Sequence, residues 1–96
     1  MEFTQNTQGN TTVFKPKGWL DTKTTPEFTA ALEKIPQSTT EVVLDMQELE
    51  YISSSGLRQI VALHKKMNGN LVIINASKDI LDVLKMTGFI KKINVK

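Results

Sequence analysis

Three stretches of the chain repeat their apolar residues at helical spacing, and short apolar runs of the kind that form strands lie between them. Phe28, Leu32 and Ile35 follow at i, i+4 and i+7, so they share one face of a helix. Thr25 suits the N-cap of that helix, Pro26 its first position and Glu27 its first turn, and Pro36 ends it. Leu57, Ile60, Val61, His64 and Met67 form a second stripe, stopped by Asn68-Gly69-Asn70. Ser77 caps a third helix, with Asp79 in its first turn, Ile80 and Leu84 on its inner face and Gly88 past its end.

The segment 41–46 predicts a buried strand carried by Val42, Val43 and Leu44. Leu71–Ile74 is four apolar residues in a row, as expected of a strand covered on both faces. Residues 2–6 and 11–16 predict a hairpin turning at Gly9-Asn10, its second strand centred on Val13 and Phe14. Residues 47–53 read as a loop and residues 89–95 as a closing edge strand. Strand, strand, helix, strand, helix, strand, helix, strand is the order of an α/β domain. The expected sheet is mixed, with four to five strands and about three helices packed mainly on one face. The two buried strands joined through a helix form a parallel, right-handed crossover. With 96 residues the chain has room for one domain, 1–96.

Composition narrows the chemistry. A net charge of +2 is too slight an excess to imply direct nucleic-acid binding. The absence of cysteine excludes disulfides and thiolate metal sites. Residues 1–10 are polar and lack the apolar core of a signal peptide, and no apolar run approaches the ~20 residues that span a membrane. A cytoplasmic protein without membrane contact is expected.

The chemically suggestive segment is Ser53-Ser54-Ser55-Gly56-Leu57-Arg58, where the second helix follows a buried strand. Sites in open α/β sheets gather beyond the carboxyl ends of strands. Ser54 also stands at a helix N-terminus, where unpaired amides and the dipole favour negative charge. One serine there is accounted for as a cap, but capping needs one serine and not three. Gly56 permits a close approach of another backbone or a ligand. Catalysis finds little support. The only histidine, His64, would lie ten residues along the same helix from Ser54, roughly 15 Å at ~1.5 Å per residue. A general base must come within ~3 Å. A Gly-x-Ser-x-Gly elbow is missing because Ile52 occupies the place of the first glycine. Metal ligands are too few, and no glycine-rich phosphate loop occurs. No catalytic residue, metal or cofactor is therefore expected. Lys65-Lys66 and Lys91-Lys92 read as solvated surface, and Trp19, near the sheet end, as a core residue in preference to an exposed, sticky one.

The segment from Asp45 through Ser53-Ser54-Ser55-Gly56-Leu57-Arg58 resembles the signature of the anti-sigma factor antagonists of the STAS family (sulfate transporter and anti-sigma factor antagonist). Gly18-Trp19-Leu20-Asp21 is similar to the family's Gly-x-Leu-Asp segment, and Met86-Thr87-Gly88-Phe89 to its late helix-to-strand corner. The resemblance implies a switch. The unphosphorylated antagonist binds an anti-sigma factor, a serine kinase of the histidine-kinase-like ATPase fold, and frees a sigma factor. The kinase phosphorylates one serine and so releases the antagonist, and a serine phosphatase resets it. The matching serine is Ser54, with Ser53 and Ser55 as secondary acceptors. The partner-binding surface would include Asp21, Thr22, Ser53, Ser54, Ser55, Gly56, Leu57 and Arg58. Family members often carry an acidic residue immediately before the phosphorylated serine, and here that position is Ser53. Two other functions share the same residues: a scaffold subunit of a lipid-transport or sensory assembly, and a nucleotide or small-molecule binder using the helix N-terminus.

Overall fold

The computed structural model describes residues 2–96. Strands β1 (Glu2–Gln8) and β2 (Thr11–Leu20) form the expected hairpin, antiparallel and in register from Glu2 opposite Lys17 to Gln8 opposite Thr11. Helix α1 (Thr25–Glu33) leads to β3 (Glu41–Asp45) and β4 (Leu49–Ile52), then α2 (Ser54–Lys66), β5 (Leu71–Ile74) and α3 (Lys78–Met86). A 3₁₀ turn (Phe89–Lys91) precedes a short β6 (Asn94–Val95). The lateral order is β1-β2-β3-β5-β6, with β4 paired to β2, and every pairing except β1 with β2 is parallel.

Alternation along the strands decides which face is covered. Thr12, Phe14, Val42, Leu44, Leu71 and Ile73 are buried beneath the helices, whereas Val13, Val43, Val72 and Ile74 are half-covered or exposed. One face therefore carries the helices and the other stays open. The core joins the strand residues to Phe28 and Leu32 of α1, Leu57, Ile60 and Leu63 of α2, and Ile80 and Leu84 of α3. Phe14 sits at its centre, edge-on to Phe28 at 5.6 Å and stacked with Phe3 at 5.2 Å. The buried Thr12 hydroxyl is satisfied by Thr39 at 2.8 Å and by Thr7 at 3.0 Å.

Several boundaries differ from expectation, each for a local reason. β2 runs through Pro16 to Leu20, because on one side β3 pairing ends at Phe14 and β4 pairing begins at Gly18. The missing proline N–H thus falls where neither strand needs it. The segment read as a loop contains β4. Its burial order, in-out-out-in, breaks the two-residue period that marks a strand. Helix α1 begins at Thr25 itself, with Thr24 as the cap residue, and ends at Glu33 before Pro36 is reached. The closing strand shrinks to Asn94–Val95. Gly88, at φ +78°, turns the chain left-handed and the 3₁₀ turn folds it back, with Ile93 N–H donating to the Phe89 carbonyl. On α2 the buried stripe is Gly56, Leu57, Ile60 and Leu63, while Val61, His64 and Met67 are only half-buried.

Candidate functional site

Two strand-to-helix corners meet at one end of the sheet. The first runs from β2 into α1. Asp21 Oδ1 accepts from the N–H groups of Lys23 and Thr24, both at 3.0 Å, and from Thr24 Oγ1 at 3.1 Å. Those donors, led by the Thr24 amide, hold the Asp21 carboxyl below its ordinary range against an opposing desolvation effect. Thr24 Oγ1 also donates to the Trp19 carbonyl at 2.7 Å, and Thr25 Oγ1 to the Asp21 carbonyl at 2.6 Å. Asp21 thus organises the turn that starts α1. Thr25, expected as the cap, spends its hydroxyl on that turn instead. Thr22 and Lys23 project from it into solvent.

The second corner runs from β4 into α2. Ser53 is the N-cap, and its side-chain oxygen accepts from the Gly56 amide at 3.3 Å. Its own N–H donates to the Leu20 carbonyl at 2.8 Å, which ties this corner to the end of β2. Ser55 is half-buried, with its hydroxyl 2.9 Å from that of Ser53 and 3.2 Å from that of Thr25. A chain of hydroxyls therefore stitches the start of α2 to the start of α1. Ser54, the first residue of α2, is exposed, and its hydroxyl makes no hydrogen bond to any described residue. Of the triplet, two serines are structural and one is spare.

Gly56 is buried where α2 crosses the end of β2. A Cβ there would lie 2.7 Å from Leu20 Cγ and 2.8 Å from its Cδ2. Leu57 is 1% exposed and points into the core, so its side chain faces away from this surface. Arg58 is exposed, one helical turn beyond Ser54 on the same side. His64 is near the far end of α2, in its last turn. Among the described residues no cluster of three or more His, Asp or Glu could hold a metal ion. Among the same residues no helix is long and apolar enough to cross a membrane.

The sequence pattern did not point to an aromatic pair on the same strand ends. Trp19, read above as a core residue, is 57% exposed. Its ring lies 5.1 Å from that of Tyr51, itself 43% exposed, at an angle of 34°. The signal that could have revealed the pair is a matched alternation. Leu20 and Ile52 point inward, so the residue before each must point outward.

The fold matches solved structures along nearly its whole length. An anti-sigma factor antagonist from Mycobacterium paratuberculosis superposes with a TM-score of 0.87 at 19% identity, over 98% of this chain and 83% of that one. SpoIIAA, an anti-sigma factor antagonist, matches in its unphosphorylated form with a TM-score of 0.80 at 17% identity, over 99% of this chain and 88% of that one. The phosphorylated form of the Bacillus protein matches with a TM-score of 0.74 at 17% identity, over 99% and 91%. At such identities the likeness is one of fold. No curated protein sequence matches significantly. The STAS domain profile, however, matches residues 2–96, and the chain belongs to the STAS domain family.

Proposed function

We propose that this protein is an anti-sigma factor antagonist whose switch is phosphorylation of Ser54. Unphosphorylated, it binds an anti-sigma factor serine kinase of the histidine-kinase-like ATPase fold and so frees a sigma factor. Phosphorylated, it lets the kinase go, and a serine phosphatase returns it to the binding form. It acts in the cytoplasm as a substrate of the kinase, not as an enzyme.

The observation that carries this reading is the division of labour in the serine triplet. Ser53 caps α2 and Ser55 bonds to Ser53 and Thr25, while the Ser54 hydroxyl is exposed and unengaged. A kinase can reach that hydroxyl without dismantling the corner. The product phosphate adds about −1.5 to −2 charges at pH 7. At the start of α2 the helix dipole tolerates this charge, and α2 has no acidic residue in its first turn to oppose it. Under a docked protein the same charge must shed its water, which opposes binding. The fold is spared and one interface is lost. Asp21 and Thr22 border this surface from the neighbouring corner, and Arg58 from one turn along α2. The single histidine, His64, lies about 15 Å along the axis from Ser54 at ~1.5 Å per residue, too far to act on it as a base, which fits a phosphate acceptor better than a histidine-activated nucleophile.

The test uses each serine-kinase anti-sigma factor of the source genome, purified in turn. One of them is expected to bind the wild-type chain and, with ATP, to phosphorylate it at Ser54, as read by peptide mass spectrometry. Ser54→Ala should bind and stay bound in the presence of ATP, and Ser54→Asp should not bind. Equal binding of Ser54→Asp and wild type would instead favour a constitutive scaffold.

A further inference from the structure

The Trp19–Tyr51 pair is built by an irregularity in the sheet. Gly18 pairs with Leu49, but Trp19 pairs with Tyr51 and Leu20 with Ile52, so Glu50 is passed over. Gly18 stands at this slip with φ +98°, a conformation that favours glycine. Without the slip Trp19 would stand opposite Glu50. With it, Leu20 and Ile52 enter the core together and the two aromatic rings emerge together on the outside. Bulges commonly re-aim a side chain in this way. The outcome is two large rings in mutual contact, both substantially exposed.

We infer that Trp19 and Tyr51 form the apolar anchor by which the kinase partner docks. This deepens the function proposed above and rests on it for the partner's identity. The occupant follows from continuity with the Ser54 corner. Tyr51 precedes Ser54 by three residues, so their Cα atoms lie within roughly 11 Å at ~3.6 Å per residue. A stable protein interface covers about 800 Å² on each partner, a patch of roughly 16 Å radius. A patch of that radius centred on Ser54 is wide enough to take in Tyr51. Trp19 belongs to the same rigid unit, because its carbonyl accepts from Thr24 and the next carbonyl, that of Leu20, accepts from Ser53. Tryptophan and tyrosine are among the residues enriched at binding hot spots, since they bury much area at little cost in side-chain entropy. The switch then has two parts: an aromatic anchor that supplies affinity and a neighbouring hydroxyl whose phosphate vetoes it.

Trp19 is the only tryptophan in the chain, so it can be read directly. The full chain is labelled with 5-fluorotryptophan and titrated with each unlabelled purified serine-kinase anti-sigma factor, observed by fluorine NMR. One kinase should shift or broaden the Trp19 resonance, and Ser54→Asp should abolish that change. Trp19→Ala and Tyr51→Ala should each weaken binding at least about tenfold, and Trp19→Phe should weaken it less. Both side chains lie outside the core, and a denaturation curve close to wild type checks that the variants remain folded. If a kinase binds and Ser54→Asp releases it, but the resonance stays still and the alanine variants bind normally, the anchor is overturned while the switch stands. If the resonance moves and the alanine variants weaken binding, but Ser54→Asp binds as wild type does, the anchor stands and the switch falls. A resonance that moves only with the concentration of the chain itself assigns the pair to a second copy and overturns the inference. Failure of every kinase to bind overturns both proposals.

Discussion

Helices α2 and α3 begin in the same way and diverge within one turn. Each has a serine cap whose side chain accepts from the amide three residues on, Ser53 from Gly56 at 3.3 Å and Ser77 from Ile80 at 3.2 Å. After Ser77 come Lys78, Asp79 and Ile80, so α3 carries its own negative charge in the first turn and a large apolar side chain in the core. After Ser53 come Ser54, Ser55 and Gly56. There the first turn has no acidic residue, the third position has no side chain, and one hydroxyl is left over. The contrast separates what a helix start needs from what it does not. A cap and an anchor suffice at α3. At α2 the anchor is displaced to Leu57, the helix is drawn close onto Leu20 through Gly56, and an unengaged hydroxyl is left outside.

The largest expected effects exchange those third positions. Ile80→Ala removes a fully buried side chain and should cost about 2–5 kcal/mol of stability, read from denaturant unfolding. Gly56→Ala adds one methyl group and should still cost about 1–3 kcal/mol, because Leu20 is itself fully buried and has no room to retreat. A Gly56→Ala protein as stable as wild type would mean that α2 does not need its close approach to β2, and the contrast would collapse. Next come the caps. Ser77→Ala should cost about 1 kcal/mol. Ser53→Ala should cost at least as much, because it also deprives Ser55 of a hydrogen-bond partner.

The elements that stood out in the sequence are those whose pattern is local. The three helices, the hairpin, the Ser77 cap and the stop at Gly88 each depend on residues within a few positions of one another. The candidate corner was legible for the same reason, since strand, turn and helix start follow in sequence. What escaped notice depends on residues far apart in the chain. β4 is a strand only because β2 extends past Pro16 to meet it, and its in-out-out-in order reflects the register slip between Gly18 and Trp19, some thirty residues earlier. Trp19 looked like core material because its composition suggests it, but the direction of a side chain beside a bulge is fixed by its partner strand. The division among the three serines was equally hidden. Nothing in Ser53-Ser54-Ser55 says that Thr25, thirty residues away, takes up Ser55.

The smallest predicted effect is the most discriminating. Ser54→Asp places a negative charge at the first position of α2, where α3 has an acidic residue one position later and α2 has none. The helix dipole should favour it by about 0.3–1 kcal/mol at low ionic strength, with the gain shrinking as salt is added. No hydrogen bond of the wild-type corner is lost in exchange, because the Ser54 hydroxyl makes none to the described residues. The fold should therefore be slightly more stable, measured as a raised denaturation midpoint, while the partner is lost. That opposition of signs is what a switch requires and what damage cannot produce. If Ser54→Asp lowered the midpoint, its loss of binding would be explained by a distorted corner, and Ser54 would be as structural as Ser77.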